Sequence, residues 1–309
     1  MKVDVAHLKR YFGRTRAVDD ISFSFASGQT FGFVGPNGAG KTTAMRILAT
    51  LDEPTDGDAT IDGVSVVEEP ERARRLVGFV PDTLATHHDM TVHDYLDFFA
   101  RAYGIRNPHR DRVVHSVEEF TNLLGIREKF LNALSKGMKQ RVSLARALVH
   151  DPPVLIMDEP AAGLDPRARV ELRELLKVLS RQGKAILISS HILTELAEIC
   201  DGAVIIEQGR ILRAGSLNEL LHESAALRTV IIRPNGRGDE LHKELLEMPD
   251  IQAVRPVGHE LEVDLAGSDE TCSDLLTQIV SRGYRIYEFR QRRVGLEQIF
   301  MTITKGEVQ

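Results

Sequence analysis

The residues best suited to chemistry in this 309-residue chain are Gly35 and Gly40, followed by a lysine and a hydroxyl, in the segment Gly35-Pro36-Asn37-Gly38-Ala39-Gly40-Lys41-Thr42. Glycines let successive backbone N–H groups turn onto phosphate oxygens, where a Cβ would clash. Lys41 adds a positive charge, and Thr42 offers an oxygen to Mg²⁺. This spacing predicts a P-loop that binds a nucleoside triphosphate with Mg²⁺; the alternative is a glycine turn without a ligand.

A second group of reactive residues ends the apolar run Val154–Met157, where Asp158 and Glu159 follow directly. Desolvating two carboxylates at the end of a buried strand is costly unless function requires it. The pattern is that of a Walker B motif, in which Asp158 holds Mg²⁺ through water and Glu159 orients or deprotonates the attacking water. The alternative is a helix-capping pair without a catalytic task.

The elements that must position these groups alternate short β-rich runs with helical patterns, which is typical of an α/β fold with a largely parallel sheet. The P-loop lies between an apolar strand and a helix N-terminus, which favours anions. One helix is predicted at Arg169–Ser180, capped by Asp165 with Pro166 in its first turn. Its predicted core stripe is Val170, Leu172, Leu175, Leu176 and Leu179. The predicted strands are Ile21–Phe25, Thr30–Val34, Val77–Val80, Val154–Met157, Ala185–Ser189 and Ala203–Ile206.

The segment from Met90 to Phe130 is polar-rich and helical in pattern and interrupts the strands, which predicts an inserted helical subdomain at about residues 90–150. Thr91 and Asp94 form a capping-box pattern at its first helix. The nearby His87, His88, Asp89 and His93 lack a structural zinc spacing, so a solvated loop is expected instead of a metal site.

After Leu221 the predicted elements follow the order β-α-β-β-α-β, which is the ferredoxin-like plan. We predict domains at residues 1–221 and 222–309. A last amphipathic helix is predicted at Leu296–Ile303. This end is rich in arginine, which indicates either a charged strand edge or a surface for nucleic acid or lipid. The arginines are Arg282, Arg285, Arg290, Arg292 and Arg293.

The bulk composition sets further limits. The formal net charge of −6 argues against global attraction to nucleic acid or anionic lipid. Only two cysteines are present, Cys200 and Cys272, which is typical of reduced thiols in a cytoplasmic protein. No apolar run approaches the roughly 20 residues of a membrane span, and the N-terminus lacks a signal-peptide core. Any membrane role is therefore expected to come through a partner.

Between the two motifs lies Leu134-Ser135-Lys136-Gly137-Met138, followed by a helical run. Here the chain resembles the ATP-binding cassette (ABC) family, whose signature loop Leu-Ser-Gly-Gly-Gln shortly precedes Walker B. Ser135 and Gly137 match that loop, whereas Lys136 and Met138 replace a glycine and the glutamine. A hydroxyl and N–H groups at a helix start suit a γ-phosphate.

The resemblance extends to the remaining motifs of the family. Phe12 matches the aromatic that stacks on adenine, with core packing as the alternative. Residues 162–165 look like the D-loop, and His191 matches the switch histidine, although a histidine at a strand end can be purely structural. Asp82 stands where the Q-loop usually has glutamine; it can reach Mg²⁺ or water but cannot donate as an amide does. The residues that the resemblance assigns to ATP are Phe12, Gly35, Asn37, Gly38, Ala39, Gly40, Lys41, Thr42, Thr43, Ser135, Gly137 and Asp165; the catalytic ones are Glu159, His191 and Asp82, and the metal-binding ones Thr42, Asp158 and Asp82.

The ending Val294-Gly295-Leu296-Glu297-Gln298-Ile299-Phe300 is similar to that of ATPase subunits of daunorubicin-resistance-type exporters. The resemblance implies an ATPase with ATP and Mg²⁺, paired head to tail as a homodimer under a separate integral membrane permease, at the cytoplasmic face of the membrane. It implies a drug, antibiotic, lipid or polysaccharide cargo and no nucleic acid. One alternative is a soluble cassette ATPase that acts on ribosomes or DNA; another is a C-terminal domain that senses a small ligand.

Overall fold

The computed structural model describes residues 1–84, 89–190, 196–217, 219–220, 228–267 and 269–291. The chain divides into two compact units, of which the first includes Met1–Leu217 and the second comprises residues 218–299. The first unit begins with the elements β1 Lys2–Phe12, β2 Thr15–Ala26, β3 Thr30–Val34, α1 Lys41–Leu48, β4 Asp56–Ile61, β5 Val64–Ser65, α2 Pro70–Leu76 and β6 Val77–Val80. It continues with α3 Val92–Ala102, α4 His109–Phe120, two 3₁₀ turns at Leu124–Ile126 and Leu131–Ala133, α5 Lys136–Leu148, β7 Val154–Met157, α6 Pro166–Arg181, β8 Ala185–Ser190, β9 Gly202–Glu207 and β10 Arg210–Ser216.

The central sheet of the first unit has the strand order β10-β9-β3-β8-β7-β6. Neighbours from β9 to β6 run parallel, and β10 pairs antiparallel with β9 at the edge. Strands β3, β7, β8 and β9 are buried along their whole length, as expected for strands covered on both faces. All six predicted strands are confirmed, five of them in this sheet and Ile21–Phe25 within β2.

A second sheet, with the order β2-β1-β4-β5, is antiparallel throughout its pairings. It adds to the predicted parallel sheet, since β1 and β4 were not identified as full strands from the sequence. Strand β2 alternates buried and exposed residues, with Phe23 and Phe25 facing inward. These rings pack with Phe31 and Phe33 of β3 and join both sheets into one core.

Helix α6 confirms the predicted helix and extends it by a few residues at its start. Asp165 is its N-cap and accepts from the backbone N–H of Ala168 at 2.9 Å, with Pro166 in the first turn. Leu172, Leu176 and Leu179 are buried, and Leu175 is half-buried. The prediction for Val170 was wrong: this side chain is exposed because it lies about 200° around the helix from Leu172, at 100° per residue.

Helices α3, α4 and α5 form the predicted inserted subdomain with a core of its own, centred on Leu96, Leu123, Leu131 and Val142. The predicted capping box at the start of α3 is present, with Thr91 and Asp94 exchanging hydrogen bonds. His93 lies against the buried carboxylate of Glu118 at 2.7 Å. Residues 85–88, which include His87 and His88, lie outside the described residues.

The second unit contains β11 Arg228–Pro234, α7 Gly238–Leu246, β12 Ile251–Val257, β13 Glu260–Leu265, α8 Asp269–Ser281 and β14 Ile286–Gln291. This order confirms the predicted β-α-β-β-α-β sequence of elements. The antiparallel sheet has the order β12-β13-β11-β14, so the unit's first and third strands are central, as in ferredoxin-like folds. Its core is separate from that of the first unit.

Two of the arginines at the end of the second unit have acidic partners. Arg282 contacts Glu244 at 3.2 Å, and Arg290 contacts Glu288 at 2.6 Å. These pairings favour a charged edge over a free basic surface. Arg292, Arg293, the predicted helix Leu296–Ile303 and the ending at residues 294–300 lie outside the described residues. Within the described parts of the chain, no helix is long and apolar enough to cross a bilayer.

Candidate functional site

The glycine loop between β3 and α1 is built around two close backbone contacts. A Cβ on Gly35 would lie 2.3 Å from the carbonyl oxygen of Ile206, and one on Gly40 would lie 2.1 Å from that of Ala17. Gly40 also has a φ of 101° at the N-cap of α1, a conformation that side chains rarely adopt. Glycine is therefore required at both positions, and the loop presents its N–H groups at the start of a helix.

Lys41 is buried in the floor of this loop. Its Nζ donates to the carbonyl of Gly35 at 2.7 Å and of Pro36 at 3.1 Å, and it lies 3.9 Å from a carboxylate oxygen of Glu159. Burial lowers the pKa of Lys41, an effect opposed by the charges of Glu159 and Asp158. The lysine is thus held by loop carbonyls at the position where an incoming phosphate can take over as its partner.

The two carboxylates that end β7 occupy different settings. Asp158 is buried, its N–H donates to Val80 at 2.8 Å, and its Oδ1 accepts from the hydroxyl of Ser189 at 2.7 Å. Glu159 lies one residue further on, with a φ of 46° and a side chain that is 17% exposed. The turn at Glu159 directs the chain away from the sheet, so the second carboxylate reaches the P-loop lysine.

Strand pairing brings the other predicted residues to the same edge of the sheet. Val80 of β6 lies opposite Met157 of β7, and Val34 of β3 lies opposite Ser190 of β8. Asp82 follows β6 and is exposed at this edge. The predicted switch residue His191 comes directly after β8 but lies outside the described residues.

Phe12 ends β1 and is 49% exposed, which is inconsistent with the alternative of core packing. The guanidinium of Arg10 lies 4.5 Å from the centroid of its ring, and Arg10 is in turn paired with Asp52 at 2.8 Å. The arginine therefore covers part of the ring, and a flat exposed aromatic surface remains available for stacking.

Ser135 caps α5 and accepts from the N–H of Met138 at 3.3 Å, and its side chain lies in an exposed part of the surface. Next to it, Lys136 passes over Gly163, where an added Cβ would lie 2.8 Å from the lysine Nζ. Gly137 is half-buried beside Ala168. The predicted signature loop and D-loop of one chain are therefore in contact. The carboxylate of Asp165, a predicted nucleotide-binding group, caps α6 in this structure.

Three contacts at or near the site were not identified from the sequence. Ser189 joins the two carboxylate residues, Arg10 supports Phe12, and Arg146 of α5 donates to the carbonyl of Phe79 in β6 at 2.6 Å. The only sequence signal was the polar end of the apolar run Ala185–Ser190, since a buried hydroxyl needs a partner.

The donor set at the strand ends suits a hard divalent cation. The carboxylate of Asp158 and the hydroxyl of Thr42, the first-turn residue after Lys41, are oxygen groups of the kind that Mg²⁺ prefers. A cradle of N–H groups, a lysine and two carboxylates are groups that hydrolysis of a phosphoanhydride bond uses.

Comparison with known families agrees with this chemistry. The family model described as "ABC transporter" matches residues 18–162, and the model described as "ATP-binding protein DrrA1-3-like, C-terminal domain" matches residues 215–304. The two matches fall on different parts of the chain and together span most of it.

Two curated relatives cover nearly the whole chain. One, from Rhizobium sp. (strain N33), is "Nod factor export ATP-binding protein I", which is 34% identical over 99% of this chain and 98% of its own length. Another, from Bacillus subtilis (strain 168), is "Linearmycin resistance ATP-binding protein LnrL", which is 27% identical over 96% of each chain.

Solved structures show the same fold. An ATP-binding subunit of an ABC transporter matches 80% of this chain and all of its own, with a TM-score of 0.67 and 30% identity. A dimeric bacterial ABC transporter cassette matches 70% of this chain and 98% of its own, with a TM-score of 0.63 and 23% identity.

Proposed function

The chain belongs to the ATP-binding proteins of ABC transporters, which hydrolyse ATP, and on that premise we propose that it energises export through a separate membrane permease. The names of its relatives refer to Nod factor export and to linearmycin resistance. A drug, antibiotic, lipid or polysaccharide is therefore the class of cargo we propose. The observation that supports this proposal most directly is the 3.9 Å distance between Nζ of Lys41, in the glycine loop, and a carboxylate oxygen of Glu159.

In the proposed reaction, the P-loop N–H groups and Lys41 bind the phosphates of ATP, and Glu159 orients the attacking water and accepts its proton. Thr42 and Asp158 would hold Mg²⁺, which supplies charge neutralisation on the phosphate oxygens when bound. Asp82 stands at the same edge and is a candidate to assist through water. His191, which follows β8 in the sequence, stays a proposed switch residue.

We propose that two copies of the chain pair head to tail, each completing the other's site. Ser135 supports this because it is exposed at the start of α5, where its hydroxyl and the helix N–H groups can reach a γ-phosphate on the partner. Closure on ATP and opening after hydrolysis would then deliver mechanical work. The structurally similar cassette that is dimeric provides a precedent for pairing of this fold.

We propose that a groove between the helical subdomain and the sheet receives a cytoplasmic helix of the permease. Its walls include the apolar side chains Val113, Val117 and Leu179, and its rim carries Arg75 and Arg112, both exposed. An amphipathic helix with an acidic residue fits this combination of surfaces. The chain would thereby sit at the cytoplasmic face of the membrane as a peripheral subunit, with residues 1–221 as the catalytic domain and 222–309 as an accessory domain.

Co-expression of the full chain with the membrane protein encoded by the neighbouring reading frame tests this proposal. We expect the two to co-purify in detergent and the permease to stimulate ATP hydrolysis. Arg75→Glu combined with Arg112→Glu should abolish the stimulation and leave basal hydrolysis intact. Arg72→Glu, which lies on α2 with Arg75 but outside the groove, should leave the stimulation unchanged. Recovery of ribosomal RNA or DNA with the purified protein, and of no membrane protein, would contradict the proposal.

A further inference from the structure

The hydroxyl of Ser189 lies between the two carboxylate residues that end β7. It donates to Oδ1 of Asp158 at 2.7 Å and accepts from the backbone N–H of Glu159 at 2.8 Å. Ser189 has no solvent exposure, so both bonds lie in the protein interior. A single buried side chain is thus connected to both the proposed metal carboxylate and the proposed base.

The side chain is needed because the hydrogen-bonded pairing of β7 with β8 stops before Glu159. The N–H of Asp158 still donates to Val80 in β6, but β7 ends at Met157, opposite Ile188 of β8. At Glu159 the backbone turns to a φ of 46°, a region that costs energy for a residue with a side chain. Its N–H therefore needs an acceptor outside the ladder, and Ser189 supplies one.

The direction of the two bonds is determined by the chemistry of the groups. An ionised carboxylate can only accept and a peptide N–H can only donate, so the hydroxyl of Ser189 must give its proton to Asp158. Alanine at this position would remove both bonds. A threonine would retain the hydroxyl and with it both bonds, and Ser189 lines a small cavity together with Leu172 and Leu176 of α6.

We infer that Ser189 is a positioning residue for hydrolysis, which fixes the carboxylate of Asp158 for the metal and the turn that aims Glu159 at the attacking water. This inference rests on the proposed function, because it assigns Ser189 to the same ATP site. Within the described residues the hydrogen bonds of the Ser189 hydroxyl go to Asp158 and Glu159, so it acts on the chemical step and leaves nucleotide binding to the loop around Lys41.

The test compares Ser189→Ala, Ser189→Thr and Ser143→Ala in the full chain. Ser143 is an equally buried serine in α5 whose hydroxyl has no hydrogen-bond partner in the described residues, so it controls for loss of a buried hydroxyl. For Ser189→Ala we expect kcat to fall about ten- to hundredfold, the loss expected for one charge-assisted hydrogen bond. KM for ATP should change less than about threefold, half-saturation by Mg²⁺ should rise, and threonine should restore kcat.

The inference is overturned if Ser189→Ala keeps wild-type kcat, or if it loses ATP affinity in parallel with kcat. It is also overturned if Ser143→Ala is equally slow, or if Ser189→Thr stays slow with a wild-type thermal midpoint. Failure of the proposed function looks different, because the wild-type protein itself would then lack ATPase activity or fail to respond to the permease.

Discussion

The Nζ atom of Lys41 lies 3.9 Å from Oε1 of Glu159, at the point where the end of β7 approaches the helix that follows the glycine loop. The same Nζ donates to the carbonyls of Gly35 and Pro36. An ATP phosphate can replace these carbonyls as the lysine's partner, and the lysine then lies between the phosphate and the carboxylate. One contact therefore joins the binding and the chemical parts of the site.

Lys41→Ala should weaken the binding of ATP itself. A charge-assisted hydrogen bond to phosphate contributes about 1.5 to 3 kcal/mol, so we expect a loss in affinity of at least about tenfold, measured by equilibrium binding of a fluorescent ATP analogue. Lys177→Ala, on the outer face of α6, is the matched control. Unchanged ATP affinity in the Lys41 variant would contradict its role in the P-loop.

Glu159→Gln should abolish turnover and preserve ATP binding. Removal of a general base typically costs about a hundredfold to ten-thousandfold in rate, and the trapped ATP should hold two copies together. Light scattering with saturating ATP and Mg²⁺ should then report a dimer for this variant. Glu174→Gln, on an exposed face of α6, should behave like the wild-type protein. Rapid hydrolysis by the Glu159 variant would remove this residue as the base.

Much of the fold was predictable because its main elements have clear local sequence patterns. Val154–Met157 is a short apolar run that must be buried, and the polar residues after it can only lie at the sheet edge. The contact between Arg10 and Asp52 was not predictable, since the residues are 42 positions apart and neither belongs to a motif. Val170 was assigned to the core because the apolar stripe of α6 was drawn too wide.

The site could likewise be predicted only where its residues form continuous motifs. The P-loop and the carboxylate pair are each a continuous motif in the sequence, whereas Ser189 meets Asp158 only through the pairing of β7 with β8. Side-chain bonds between strands depend on register, which a single sequence does not reveal. The role of Asp82 depends on similar long-range geometry and is open to direct test.

Asp82→Ala and Asp82→Gln test the unusual Q-loop residue. If its carboxylate assists through water, alanine should lower kcat about tenfold or more, and glutamine, which can donate but carries no charge, should not fully restore it. Asp89→Ala, a nearby aspartate in the sequence, serves as the control. Wild-type hydrolysis and permease coupling in Asp82→Ala would show that the side chain is a bystander.

Phe12→Ala should raise the KM for ATP about tenfold with little change in kcat. Stacking of a base on an aromatic ring contributes about 1 to 3 kcal/mol, and Phe12 is the exposed ring at the end of β1. Phe12→Tyr should retain wild-type KM. Phe98→Ala, which removes a similarly exposed ring from α3, should leave the KM unchanged. A normal KM in Phe12→Ala would exclude this ring as the adenine platform.

Arg10→Ala should raise the same KM by a smaller factor, about two- to fivefold, because the ring loses the guanidinium contact that holds it in place for stacking, a contact worth about 0.5 to 1 kcal/mol. Arg10→Lys keeps the charge but lacks the planar guanidinium, so its KM should lie between those of the wild-type protein and Arg10→Ala. The measurement is steady-state hydrolysis over a range of ATP concentrations. An Arg10→Ala effect larger than that of Phe12→Ala would mean that the arginine contacts the nucleotide directly.

The buried carboxylate of Asp19 should make the first unit sensitive to acid. The hydroxyl of Tyr11 donates to it at 2.7 Å and Arg210 donates two bonds to its other oxygen, and these contacts, the tyrosine first, lower the pKa of Asp19. Because the folded state holds this proton less tightly than the unfolded chain, the stabilisation is fully present above the unfolded pKa, near 4, and is lost as the pH falls through the folded value.

Asp19→Asn should therefore lower the free energy of unfolding by about 1 kcal/mol at pH 7, since the amide keeps one acceptor but loses the charge. As the pH falls below about 4 the difference from the wild-type protein should shrink, because the unfolded chain then binds a proton that the folded carboxylate still resists. Thermal unfolding followed by circular dichroism at pH 7, 4 and 2.5 measures this convergence. Asp20→Asn, which alters the neighbouring half-exposed carboxylate, should show a smaller difference at pH 7. If the difference in stability between Asp19→Asn and the wild-type protein stays constant from pH 7 to 2.5, the side chain acts through packing and not through its charge.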